Sequence, residues 1–223
     1  MIPASPDEIT AGWLAEAFRS TDVLGGTAIS AVHARAIGDA ASYTGQVVRL
    51  YLYLDPPTPR TPSTIIAKLP PADRLVREAG APFRPAETEA AFYRDLAPAN
   101  PLGVPRRYFH ARDERTGRSI LLLEDLAPAR VLDQRIGCPP PLARLALEAV
   151  AQFHGAWCGQ RAASYPDWLI GRADARAAEL AFVDQLYGRA WPHFRDRWGE
   201  MLPRRVRAMG DHMVGRVAEA TGH

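Results

Sequence analysis

The apolar residues of this chain change their spacing part-way along it, and the change falls close to Pro141. Before that point they gather in short runs rich in β-branched and aromatic side chains: "AISAVHARAIG", "GQVVRLYLYLD", "STIIAKLP", "GVPRRYFHARD" and "GRSILLLEDL". Gly25-Gly26, the proline-rich "DPPTPRTPS" and Thr116-Gly117 separate these runs, the pattern of strands joined by turns. From Pro141 onward, beginning with "PLARLALEAVAQFHGAWCG", the spacing is helical. Five strands with helices segregated around them define the α+β class, and the first three strands, consecutive in the chain, suggest an antiparallel meander.

Two helices interrupt the strand region. "SPDEITAGWLAEAFR" opens with a Ser5–Glu8 capping-box spacing and Pro6 at the first helical position, and Ile9, Trp13, Leu14 and Phe18 recur at helical intervals. "RPAETEAAFYRDLAP", ended by Pro98, lies between the third and fourth strands. The expected organisation is a small α+β lobe over residues 1–125 and a helical region over 126–223.

A hydrophobic content of 47% can fill the core of such a chain. No apolar stretch approaches a membrane span and the first residues lack the pattern of a signal peptide, so a cytoplasmic protein is expected, with no membrane partner. Cys138 and Cys158, the two thiols, are too few for a disulfide framework and suit a reducing compartment. The net charge of +2 comes from cations spread along the chain, which gives nucleic-acid binding little support. The basic "PRRVRAMGDHMVGR" reads as a solvated helix face. His154 and Cys158 are four apart on one helical face but lack a second pair of ligands, so His154 reads as a packed structural histidine and no metal ligand is assigned.

Of the 27 cations, one is a lysine, Lys68, set in the apolar run "TIIAKLP". Alternation along the strand puts Lys68 on one face with Ile66 and Thr64, and Ile65, Ala67 and Leu69 on the other. An edge-strand lysine that blocks aggregation is one explanation, but arginine would serve equally there and is used everywhere else. A compact ammonium on a flexible stem suits phosphate oxygens, where arginine imposes a planar fork. In the following helix Glu89, Phe92, Tyr93 and Leu96 form one stripe, so a carboxylate occupies a position that should face the core and needs a partner. Glu87 lies off this stripe, where a first-turn acid favoured by the helix dipole explains it.

"IGDAASYTGQVV", between the first two strands, carries Gly38 and Gly45 without making a GxGxxG motif. An ordinary hairpin loop accounts for it, yet its amides and the hydroxyls of Ser42, Tyr43 and Thr44 are able to hydrogen-bond phosphate oxygens. "SILLLEDL" is an apolar strand that runs abruptly into Glu124-Asp125, as a strand reaching the surface does.

In this order, "ASYTGQVVRLYL", "IIAKL", "ETEAAFYRDL", "VPRRYFHA", "ILLLEDL" and "AVAQFHGAW" resemble the aminoglycoside phosphotransferase and choline kinase-like group, in its ecdysteroid kinase-like branch, over about residues 8–160. The resemblance implies a protein-kinase-like two-lobe fold with a five-stranded antiparallel N-lobe. It implies an ATP-dependent phosphotransferase using Mg²⁺ and a small-molecule hydroxyl acceptor. By motif, Lys68 takes the phosphate-binding role and Glu89 anchors it, with Ile66 beside the lysine. Glu124 and Leu126 become the adenine-facing hinge, Leu123 lines the pocket, and Ser42, Tyr43 and Thr44 fall in the phosphate-covering loop. The group's H-G-D-x-x-x-x-N loop and acidic metal-binding segment have no counterpart here: Gly210-Asp211 has neither the preceding His nor the following Asn. The expectation is therefore a chain truncated before the catalytic loop, with an incomplete helical C-lobe and neither catalytic nor metal-binding residues. A non-catalytic nucleotide- or partner-binding module and a fragment unable to fold by itself are the alternatives.

Overall fold

The computed structural model describes residues 1–37, 45–57, 59, 61–129, 132, 136–159, 165–170 and 172–221. Five strands, β1 (Ala28–Ala36), β2 (Gln46–Asp55), β3 (Thr64–Leu69), β4 (Arg107–Arg112) and β5 (Ser119–Glu124), form one sheet in the order β1-β2-β3-β5-β4. Every neighbouring pair is antiparallel. The class is α+β, and the first three strands form the expected meander.

Alternation assigns the two faces of this sheet different tasks. Val48, Leu50, Leu52, Ile65, Ala67, Leu69, Ile120 and Leu122 share one face and are buried. They pack with Ile9, Val23 and α1 (Ala11–Ala17), which contributes Leu14, while Phe18 follows at its end. Leu14, Phe18, Leu50, Ile65, Ile120 and Leu122 are the largest fully buried side chains, each adding about 2 kcal/mol of apolar stabilisation. The other face carries Lys68.

Helix α1 starts later than the Ser5–Glu8 spacing suggests. Ser5 makes no capping bond, Pro6–Glu8 forms a single 3₁₀ turn, and Glu8 Oε2 accepts from the Ala4 amide at 2.9 Å. The chain then turns at Ile9, which is buried, and Thr10 caps α1 by accepting from the Trp13 amide at 3.2 Å. Burying Ile9 decides where the helix begins.

A helix absent from the sequence reading, α2 (Arg74–Gly80), follows β3 and is capped by Asp73, whose carboxylate accepts from the Leu75 and Val76 amides. Helix α3 (Pro85–Ala91) begins after Arg84, which is held at φ 46° and ψ 47°. It continues through a π turn, Phe92–Leu96, into the 3₁₀ turn Ala97–Ala99, where Pro98 prevents regular continuation. Helix α4 (Pro140–Trp157) meets this stretch through the Phe92 and Phe153 rings, 6.3 Å apart.

The chain divides into two compact units, Met1–Gly159 and Gln160–His223. Composition alone divides it at 125, where the strands end. The second unit contains α5 (Asp167–Ile170), α6 (Arg172–Trp198), α7 (Arg204–Met213) and α8 (Val217–Thr221). Within it Tyr187 Oη donates to the Gly210 carbonyl at 3.0 Å, Trp191 Nε1 to Asp211 at 2.8 Å, and the Val217 amide to Asp184 at 3.0 Å. Among the described residues no helix is long and apolar enough to cross a membrane.

Candidate functional site

Lys68 stands in the middle of a row that crosses the sheet in register, Val47, Lys68, Leu121 and His110, on β2, β3, β5 and β4. Directly paired residues in antiparallel strands share a face, so this row and the next, Arg49, Ile66 and Leu123, lie on the surface away from the α1 core. Glu89, in α3, reaches the same face. Lys68 Nζ donates to Glu89 Oε1 at 2.5 Å and to Oε2 at 2.7 Å. Both side chains are about one-third exposed.

This geometry leaves the ammonium something to give. An ammonium has three donors, and the Glu89 carboxylate takes two. The pair fixes where Nζ points while keeping the amine within reach of water, and therefore of a ligand. Tyr93, one helical turn after Glu89, has its phenol pushed above the ordinary range by burial and then by the Glu89 charge.

A cleft of about 720 Å³ opens beside the pair, lined by β3, α2, the start of α3, β4 and β5. Gly45 belongs to its lining and cannot be replaced freely: its φ is +144°, and a Cβ there would lie 2.5 Å from the Leu69 carbonyl oxygen. The backbone before β2 thus runs directly against the strand end that follows Lys68.

The remaining expected residues lie elsewhere on the same unit. Ile66 and Leu123 are paired in register one row from Lys68, with Leu123 buried. Glu124 ends β5 and binds β4's approach, its amide donating to the Arg106 carbonyl at 2.8 Å and its Oε2 accepting from the Arg106 amide at 3.0 Å. The Leu126 carbonyl accepts from the Ala129 amide at 2.9 Å, and among the described residues the Leu126 amide has no acceptor. None of Ile66, Leu123, Glu124 and Leu126 lines the cleft. Ser42, Tyr43 and Thr44 lie outside the described residues.

One polar pair on this face escaped the sequence reading. Arg49 donates to Asp125 through Nε at 2.6 Å and through its second terminal nitrogen at 3.0 Å. The Asp125 side chain is only 4% exposed. Burial pushes its carboxyl up, but hydrogen bonds from Arg49, Thr64 and the Ala127 amide outweigh that and hold it below the usual carboxylate range. The signal was present in Arg49 itself: a charge in a central strand, on the face of Ile66, requires a partner.

Compared with family models, with curated proteins and with solved structures, the chain matches none of them. Function must therefore be read from these side chains. Gly210-Asp211, the pair nearest in sequence to a glycine–aspartate catalytic loop, lies inside α7, where Asp211 bonds Trp191 and Arg195. Asp211 is engaged in holding the second unit together.

Proposed function

We propose that the first unit binds ATP with Lys68 against its phosphates, and that it is the nucleotide-binding part of a small-molecule phosphotransferase with a protein-kinase-like two-lobed fold. The carrying observation is the bidentate Lys68–Glu89 pair, one-third exposed, on the sheet face away from the α1 core. A phosphate oxygen takes the third ammonium donor without disturbing the other two. Ile66, half-buried on the same face, supplies apolar surface for a base, with the buried Leu123 packed beside it, and the Leu126 amide supplies a donor at the strand end. The acceptor in this reading is the hydroxyl of a small molecule.

Transfer needs more than these residues provide. The sequence contains no H-G-D-x-x-x-x-N segment to orient an acceptor hydroxyl. Among the described residues no three His, Cys, Asp or Glu side chains converge as metal ligands, so those residues do not fit the Mg²⁺ that such transfer uses. Nucleotide binding without turnover is the behaviour expected of these 223 residues.

Calorimetric titration with ATP tests the reading. Lys68→Met should weaken binding by about tenfold or more, whereas Arg144→Met, which removes an exposed α4 pair with Glu148, should leave it unchanged. Equal affinity in wild type and Lys68→Met, in protein of unchanged circular dichroism, would remove the basis of the proposal.

A further inference from the structure

The cleft beside Lys68 continues past the lysine. Its walls there come from α2, the start of α3 and β4, on the opposite side of Lys68 in the strand ladder from Leu123 and Glu124. About 720 Å³ is enough to hold a small organic molecule.

The charges in this region do not balance. Arg84, just before α3, and Arg112, at the end of β4, both bond the single carboxylate of Glu87, which cannot neutralise two guanidinium groups. Arg77 donates to the Pro71 and Ala72 carbonyls, at 2.7 and 2.6 Å, and has no carboxylate partner among the described residues. Lys68 is matched by Glu89, and Arg74 by Glu78 at 2.6 Å. Five cations thus face three carboxylates in the described lining, an excess of two positive charges. Arginine keeps its charge throughout the physiological range, so pH does not remove this excess. His110 is held toward the neutral ring by burial and then by Arg107, Arg112 and Arg94, and so adds a hydrogen-bonding group rather than a further charge. Val76, Ala81 and Ala86 give the same cleft an apolar surface.

We propose that this cleft is a second ligand site, separate from the nucleotide, for a small organic phosphate whose dianionic head meets the Arg84–Glu87–Arg112 cluster and whose body lies on the apolar lining. A dianion matches the excess charge, and guanidinium forks bind phosphate oxygens in pairs. The proposal does not depend on ATP binding at Lys68.

Titration of the full chain with 1-naphthyl phosphate, followed by calorimetry, tests it, with inorganic phosphate run in parallel. Arg112→Met should weaken naphthyl phosphate binding by about tenfold, and Glu87→Gln, which removes the competing carboxylate, should tighten it severalfold. Lys68→Met should weaken it less than Arg112→Met does, since Lys68 lines the cleft but is matched by Glu89, and Arg144→Met, outside the cleft, should leave it unchanged. Opposite effects at Arg112 and Glu87 are expected of a binding site, since loss of either partner from a merely structural pair weakens both alike. Arg84→Met, at an exposed side chain, replaces Arg112→Met if the latter fails to fold. The proposal is overturned by no saturation of wild type by about 10 mM probe, by an affinity untouched by the arginine variants, or by binding abolished by Lys68→Met. Inorganic phosphate binding as tightly as the aryl phosphate would also overturn it, by showing that the apolar lining takes no part.

Discussion

Lys68 and Arg49 lie in adjacent rows of one sheet face, and each is held by two hydrogen bonds to a carboxylate, yet burial gives the pairs different weight. Lys68 and Glu89 keep a third of their surface in water, where ion pairs contribute about 0–1 kcal/mol, so that pair is better placed to position an amine than to stabilise a fold. Asp125 is almost fully enclosed, and removing its charge leaves Arg49 without its partner. Asp125→Asn should therefore cost about 2 kcal/mol near neutral pH. Because the folded carboxyl titrates below its unfolded counterpart, the unfolded chain takes up the proton first as pH falls. The Asp125 contribution is thus present above about pH 5 and fades as pH drops through about 4 and below. Urea midpoints of wild type and Asp125→Asn should differ at pH 7 and converge toward pH 3; a constant gap would mean that the charge plays no part. Of the two pairs, only the lysine one is marked in the sequence at both of its partners. Lys68 stands out by rarity and Glu89 by its place in an apolar stripe, whereas Arg49 is one arginine among many and its importance comes from the burial of a partner 76 residues away.

The strands were legible as elements because alternation and punctuation agree: each run between Gly or Pro breaks became a strand, and the face opposite Lys68 became the core. Helix α2 was not. It is seven residues long, Leu75 within it is exposed, and its clearest mark is the Asp73 cap, a local signal without an apolar stripe to support it. Yet α2 supplies Arg74, Val76 and Arg77 to the cleft, so the missed helix concealed one wall of the site. In sequence the loop before β2 stands out by its hydroxyls, whereas in its described part the constrained residue is Gly45. Here the backbone conformation and the closeness of the Leu69 carbonyl both exclude a side chain. Gly45→Ala should destabilise the first unit by about 2–4 kcal/mol, from backbone strain and forced displacement together. Thermal unfolding followed by far-ultraviolet circular dichroism checks this, and an unchanged midpoint would show that the two strand ends separate without penalty.

The order of strands and helices along the whole chain was legible from the shift in hydrophobic period, but the grouping into units depends on packing that no local pattern records. Helix α4 belongs with the sheet, tied through Phe153 to Phe92, although its sequence resembles the helices that follow it. The buried cluster of the first unit contains no residue after Leu122, and the hydrogen bonds that join α6 to α7 and α8 stay within the second. A defect introduced into one unit should accordingly remain there. Gly210 offers such a defect: a Cβ at this position would lie 2.1 Å from carbons of the Trp191 ring, so Gly210→Ala must push that ring away and break its bond to Asp211. Overpacking of this kind costs about 1–3 kcal/mol. Amide hydrogen exchange on the full-length variant should show α6 and α7 losing protection by about tenfold or more while β2, β3 and β5 exchange as in wild type, since local opening reports the stability of its own cooperative unit. Equal loss across strands and helices would mean that the units fold as one, and that the lysine face draws its stability from the whole chain rather than from the sheet core behind it.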